Sequence, residues 1–315
     1  MPGGGGMRRT FVLGVLVAVG ALSIAVAGQA PPGASAQAIA ATKIEKVKDN
    51  LYVITGSGAE DTTAFSGGNV AVFVTDTGVT LVDTKLPGFG PTIVDRVKSV
   101  TNKPITRIIN THTHGDHTGG NPFFGGNVET IVHENTKANM VKMDDFKGAG
   151  AKFLPGKTYK DKLTIGSGKD EIDLYYFGRG HTNGDTFVVF PALRTMHVGD
   201  MFAWKALPYI DPDNGGSVVE HPKSLAKAVA TVKNVDTIIN GHIPVGRWAD
   251  LQEFASFTAD FVAFAERSFK AGKSAEQAAK EYKVDPKYKG YKASVNPMFG
   301  GAQPNLEIAY KELKK

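Results

Sequence analysis

The chain has 315 residues, 42% of them hydrophobic and 21% charged, with a formal net charge of +5. This is an ordinary globular composition that can bury a sizeable core. Its lysines are spread along the chain, with only a modest cluster from Lys311 to Lys315, so nothing resembles the basic stripe of a nucleic-acid binder. Cysteine is absent, which excludes disulfides, thiolate metal sites, cysteine nucleophiles and a lipid-anchored cysteine.

In chain order, Arg8 and Arg9 precede an apolar run from Phe11 to Ala27. Pro31-Pro32-Gly33 breaks that run, and Ala34-Ser35-Ala36 fits a small-x-small cleavage pattern. These features predict a signal peptide over 1–36, cut after Ala36, and a periplasmic or secreted product. That product has no stable membrane association once the signal is cut. No second apolar run is long enough to span a bilayer. Residues 37–315 read as one domain.

Leu51–Thr55 is a strand by its β-branched and aromatic content. The glycine-rich, polar stretch Gly56–Gly68 reads as a mobile flap. Asn69–Thr75 and Val79–Asp83 are two more strands around the turn Asp76-Thr77-Gly78. Pro91–Ser99 shows helical spacing of Ile93, Val94 and Val97. Thr106–Asn110 is a short buried strand that leads into a histidine-rich loop. Further on, Ile172–Phe177, Phe187–Phe190, Thr195–Val198 and Thr237–Asn240 are strands. Lys223–Lys233, Leu251–Phe269, Ser274–Tyr282 and Asn305–Leu313 are helices, the third with Ser274 as N-cap and Gln277 three residues on. Strands followed by strand–helix alternation point to layered sheets and helices.

The loop His112-Thr113-His114-Gly115-Asp116-His117 places four metal-ligand side chains within six residues and uses three of the chain's eight histidines. Imidazole and carboxylate suit zinc, and also iron or manganese. The same theme recurs wherever an apolar strand gives way to a glycine-containing loop: Gly180-His181, Gly199-Asp200 and Gly241-His242. Strand ends gather at one edge of a sheet, so these residues can converge there. The other histidines read as structural: His133 as a satisfied strand-end residue, His197 facing away from the site, His221 capping a helix. Asp185 reads as a loop-ordering acid. Asn183, Trp204, Lys205 and Tyr209 follow ligand-type residues and are candidates both for lining a pocket and for packing.

These motifs, together with Leu81-Val82-Asp83 at a strand end, resemble the metallo-β-lactamase-fold superfamily over nearly the whole mature chain. The resemblance implies an α/β fold, a four-layer αβ/βα sandwich. It implies that His112, His114 and His181 hold one metal, that Asp116, His117 and His242 hold a second, and that Asp200 bridges them. Asp83 would order the histidine loop. Three protein ligands per metal plus the bridge leave room for water, a catalytic rather than a structural arrangement.

By this resemblance the chain is a hydrolase using two zinc ions per chain, iron or manganese being the other candidates. Metal-bound hydroxide attacks the carbonyl of a small-molecule ester, lactone, thioester or amide, and β-lactamase activity is the most testable case. Asp116 would also accept a hydrogen bond from that hydroxide and orient it. Asp200 resembles the bridging acid of glyoxalase II-type thioesterases and lactonases, whereas Asp116, His117 and His242 without cysteine resemble the all-histidine β-lactamases. Two alternatives stay open: an iron-dependent persulfide dioxygenase, which needs only the first site and the bridge, and a non-catalytic metal-binding module. The oligomeric state is not legible.

Overall fold

The computed structural model describes residue 1 and residues 34–58, 60–296 and 299–314. Most of the expected signal peptide lies outside the described residues, apart from residues 34–36. Two sheets form the centre. One runs, in spatial and chain order alike, β1 (Lys43–Lys48), β2 (Leu51–Thr55), β3 (Val70–Val74), β4 (Val79–Val82), β5 (Ile105–Ile109), β6 (Glu129–His133) and β7 (Lys157–Tyr159). The other contains β8 (Lys162–Ile165), β9 (Ile172–Tyr175), β10 (Phe187–Phe190), β11 (Thr195–Gly199), β12 (Thr237–Asn240) and β13 (Gly246–Arg247), again in spatial sequence.

The helices are α1 (Ala36–Ala41), α2 (Gly90–Lys98), α3 (Gly115–Thr118), α4 (Asn121–Phe124), α5 (Glu134–Met140), α6 (His221–Thr231), α7 (Trp248–Lys270), α8 (Ala275–Glu281) and α9 (Ala302–Leu313). No described helix is long and apolar enough to cross a membrane.

Strand periodicity builds the layers. On β2, Leu51 and Val53 point between the sheets and meet Phe73, Val188, Phe190 and Ile239 there. Ile54 points the other way, toward Ile93 and Val97 of α2. On β11, Met196 and Val198 face Leu225 of α6 and Phe254 and Phe257 of α7. Both faces of the central strands are therefore buried, which explains why β3 and β10 are continuous apolar runs rather than alternating ones. The result is the expected four-layer order of helix, sheet, sheet, helix.

The parallel pairings position the site. β4, β5 and β6 run parallel in one sheet, and β11 and β12 run parallel in the other. Their C-terminal ends carry Asp83, the 112–117 loop, Asp200 and His242. Ser274 caps α8 in a capping box with Gln277, as its spacing predicts.

Candidate metal centre

Five imidazoles and two carboxylates from separate strand ends converge. His112, His114 and His181 form one group of potential ligand atoms, and Asp116, His117 and His242 form another. Asp200 joins His112 and His117 in a third, with the ligand atoms of every group within 4.8 Å of one another. His181 Nε2 lies 2.9 Å from His114 Nδ1, and His117 Nε2 lies 3.3 Å from His242 Nε2. Asp200 reaches both sides: Oδ1 is 3.2 Å from His117 Nε2, and Oδ2 is 3.2 Å from His242 Nε2 and 3.8 Å from His181 Nε2. Asp116 Oδ2 stands 3.4 Å from His242 Nε2 and 3.6 Å from His117 Nε2.

Surrounding acceptors assign the ring protons. His117 Nδ1–H donates to Asp83 Oδ2 at 2.7 Å, because a carboxylate only accepts. Thr111 donates its hydroxyl to the same oxygen at 2.7 Å, so it accepts from His112 Nδ1–H at 2.9 Å. His114 Nε2–H donates to Asp211 Oδ2 at 2.7 Å, and His181 Nδ1–H to the Tyr209 carbonyl at 2.6 Å. In each ring the other nitrogen faces the cluster, where it can offer a lone pair to a metal. His114 Nδ1 and His181 Nε2, 2.9 Å apart, need a shared proton or a cation between them.

The donor set therefore fits a metal centre. His112 Nε2 and Asp200 Oδ1 are buried with no hydrogen-bond partner, a costly state that a bound cation relieves. In the metal-free cluster the charges respond strongly to one another. Burial and the neighbouring imidazoles hold His112 well below the ordinary histidine range. Burial, with His114 beside it, drives His181 down to about 4. Burial opposes ionisation of Asp200, but His242 and His117 outweigh it and hold its carboxyl well below the usual range.

Asp83 is the anchor expected of it. It adopts a left-handed φ of 69° just beyond β4, and its Oδ1 accepts the Thr111 backbone N–H at 2.8 Å. One carboxylate thus fixes the entrance of the histidine loop and the tautomers of two histidines, one of them through Thr111. Gly199, at φ 51°, lies so close to Thr111 that a Cβ would sit 2.7 Å from its hydroxyl. Only glycine permits the chain to turn there into Asp200.

The Gly56–Gly68 stretch, expected to be a mobile flap, is exposed over residues 60–63 and buried at its end. Its end is a buried strap: Gly68 N donates to Asp116 O at 3.0 Å, and Leu86 N donates to Ser66 O at 3.1 Å. A Cβ on Gly68 would sit 2.1 Å from His117 Cε1, so the strap backbone is what holds that ring from above. A strand-to-strand connection rich in glycine looks mobile in sequence, but here glycine serves close approach rather than freedom.

His133 is structural: it caps α5 through Asn135 N, bonds the Lys160 carbonyl and stacks on Tyr176. His197 stays outside the ligand groups, yet it ties the sheets together, donating to Asn69 O and accepting from Gly199 N at 3.1 Å each. His221 is not a cap. Glu220 holds that position, and Pro222 fills the first turn, where no N–H is needed. The His221 ring is instead buried edge-on against Phe254, 5.9 Å between centroids. Asp185 orders its loop by accepting from the backbone and hydroxyl of Thr182. Trp204 and Tyr209 line the cavity above the cluster. Asn183 instead packs against Asn139 through a 2.9 Å hydrogen bond.

Two residues carry no signal in sequence. Asp211 follows no glycine and ends no strand, yet it orients His114. Lys85 is fully buried, donating to Gly68 O at 2.9 Å and Ser66 Oγ at 3.2 Å.

A two-sheet sandwich with a histidine–aspartate cluster at its parallel strand ends defines a class of metal-binding α/β proteins. Comparison with known proteins narrows that class. The family model described as the metallo-beta-lactamase superfamily matches residues 63–242, and the chain belongs to that superfamily. Over 191 residues it is 30% identical to the metallo-beta-lactamase type 2 of Elizabethkingia meningoseptica, covering 59% of this chain and 69% of that protein. It is also 30% identical over 160 residues to a 2,4-dinitroanisole O-demethylase subunit alpha from a Nocardioides species, covering 50% of this chain and 45% of that one. A solved metallo-beta-lactamase from Pontibacter korlensis shares the fold at TM-score 0.60 and 18% identity, over 69% of this chain and 99% of its own.

Proposed function

We propose that this chain is a di-zinc hydrolase acting on the carbonyl of a small-molecule ester, lactone, thioester or amide. The observation that carries this reading is the convergence of five imidazoles with Asp116 and Asp200 beneath a cavity lined by His114, His181, His242 and both carboxylates, four of the rings having one nitrogen bonded to an acceptor and the other turned to the cluster. His112, His114 and His181 would hold the first ion, Asp116, His117 and His242 the second, with Asp200 shared. Bound there, zinc supplies an activated water and a Lewis acid for the carbonyl oxygen.

The chain's own groups do the rest. Asp83, Thr111, Asp211 and the Tyr209 carbonyl hold the imidazoles in the tautomers needed. Asp116 is the more exposed of the two cluster carboxylates, 22% against 7% for Asp200 at the side chain. It faces the cavity and is the group positioned to hold and orient the attacking water through a hydrogen bond. Residues 37–315 act as the catalytic domain, and residues 1–36 as an export signal to the periplasm or medium.

Metal analysis and a substrate panel test the reading together. Two zinc ions per chain, with hydrolysis of at least one among nitrocefin, a thioester and a lactone, are expected. Asp116→Ala should lower the second equivalent and cut kcat at least about a hundredfold, with the circular dichroism spectrum unchanged. A single iron per chain would point instead to the dioxygenase reading. Full activity in Asp116→Ala would remove Asp116 from the mechanism.

A further inference from the structure

Four of the five cluster imidazoles have their outer nitrogen bonded, to Thr111, Asp211, Asp83 or the Tyr209 carbonyl. His242 is the exception. Its Nε2 turns to the cluster, 3.2 Å from Asp200 Oδ2, while its Nδ1 is buried without a hydrogen-bond partner in the protein. An acceptor at that outer nitrogen is what fixes the tautomer and rotation of most metal-binding histidines. Without one, the ring is free to turn about its bond to Cβ, a torsion with broad minima, unless packing stops it.

Ring faces supply that packing. Phe65 stacks on His242 at 5.5 Å between centroids and 27° between planes. Trp204 lies 5.8 Å from the same imidazole, inclined at 37°. Phe299 closes the group, 6.3 Å from Phe65 and 5.9 Å from Trp204. Backbone bonds set both supporting rings against the histidine. Asn69 N donates to Gly241 O at 2.7 Å and Asn69 Nδ2 to Asn240 O at 2.9 Å, which ties the strap carrying Phe65 to the turn before His242. Gly241 N donates to Phe202 O and His242 N to Ala203 O, each at 3.2 Å, which brings Trp204 alongside. Trp204 is fixed in turn by its own indole N–H, which donates to Leu207 O at 3.2 Å.

Building on the two-metal reading, we infer that Phe65 and Trp204 are positioning residues for His242. Their ring faces do for this imidazole what hydrogen-bond acceptors do for the other four, and so they set the affinity of the ion that His242 binds. A ring already held in one orientation loses less freedom when the ion arrives. Offset stacking supplies that orientation without a polar partner.

The same rings line the cavity, so turnover would not separate support of His242 from contact with a substrate. The test therefore reads metal affinity: zinc is titrated into the metal-free full chain against a competing chromophoric chelator. Phe65 is only half-buried, so alanine there spares the core. Trp204→Leu keeps apolar bulk and removes only the ring face. Phe65→Ala and Trp204→Leu are each expected to weaken one of two zinc equivalents at least about tenfold and leave the other within about twofold. Phe65→Tyr, which keeps the face, should stay within about threefold of the parent chain. Parent affinity in either Phe65→Ala or Trp204→Leu overturns the inference. So does equal weakening of both equivalents, which would mean the rings serve the fold, or a Phe65→Tyr variant as weak as Phe65→Ala. A parent chain that takes up a single zinc sinks the two-metal reading. The variants then still decide this inference, by whether that one ion weakens in them.

Discussion

Lys85 shows how much one side chain can decide. It is fully buried, sits at a left-handed φ of 61°, and directs its ammonium to the Gly68 carbonyl and the Ser66 hydroxyl. It thereby clamps the strap whose Gly68 abuts His117. Lys85→Met removes the donor and leaves a buried carbonyl unsatisfied, which costs about 1–3 kcal/mol. We expect a matching drop in unfolding free energy and, on the proposed two-zinc reading, zinc content falling from two toward one as His117 loses its support. Two tightly held zinc ions in Lys85→Met would show that the strap holds itself.

The lysine also sets a pH dependence. Burial lowers its pKa to about 7, against the attraction of Asp116 and Asp83. The unfolded chain then binds more protons than the folded one between about pH 7 and pH 10.4, so this group's contribution to stability rises with pH across that window. The stability of the parent chain relative to Lys85→Met should therefore grow from pH 7 to pH 9, measured by denaturant titration. A difference that stays constant over that range would mean the ammonium remains charged in the fold.

Among the elements, those buried on both faces are the most legible. β2, β10 and β12 follow the expected bounds, because continuous β-branched and aromatic runs admit few alternatives. The edge strands β1, β7 and β8 are rich in lysine and threonine and lack a continuous apolar run, and β7 pairs with β6 across an intervening helix. Nothing local marks them. The helix α7 is expected over Leu251–Phe269 from a stretch rich in Phe and Ala, and its contribution can be tested directly. Phe254 is fully buried, stacked on Phe202 at 4.2 Å between centroids. Phe254→Ala should lower stability by about 3–5 kcal/mol through lost burial and the cavity left behind. A loss under about 1 kcal/mol would mean the outer helical layer repacks freely.

At the scale of the molecule, the candidate metal centre draws its residues from both sheets. Asp83, His112 and His117 follow strands of one sheet, and His181, Asp200 and His242 follow strands of the other. Metal binding should therefore stabilise the whole sandwich rather than one loop. Chelation is expected to lower Tm by about 10 °C or more, with a single cooperative transition before and after. An unchanged Tm on zinc removal would mean the sheets are held together by their apolar interface alone.

The sequence by itself determined the class of chemistry. Histidine and aspartate recur at glycine-bounded strand ends, a placement that core packing does not require, and strand periodicity says which ends they are. The layered fold follows from the same periodicity and from the resemblance that the motifs carry. Only the tertiary structure decided which nitrogen of each imidazole faces the cluster, that Asp211 bonds His114, that Lys85 bonds the Gly68 carbonyl, and that Gly68 packs against His117. Those features arise where segments distant along the chain come within a few ångströms, and the contacts between them leave no local spacing to read.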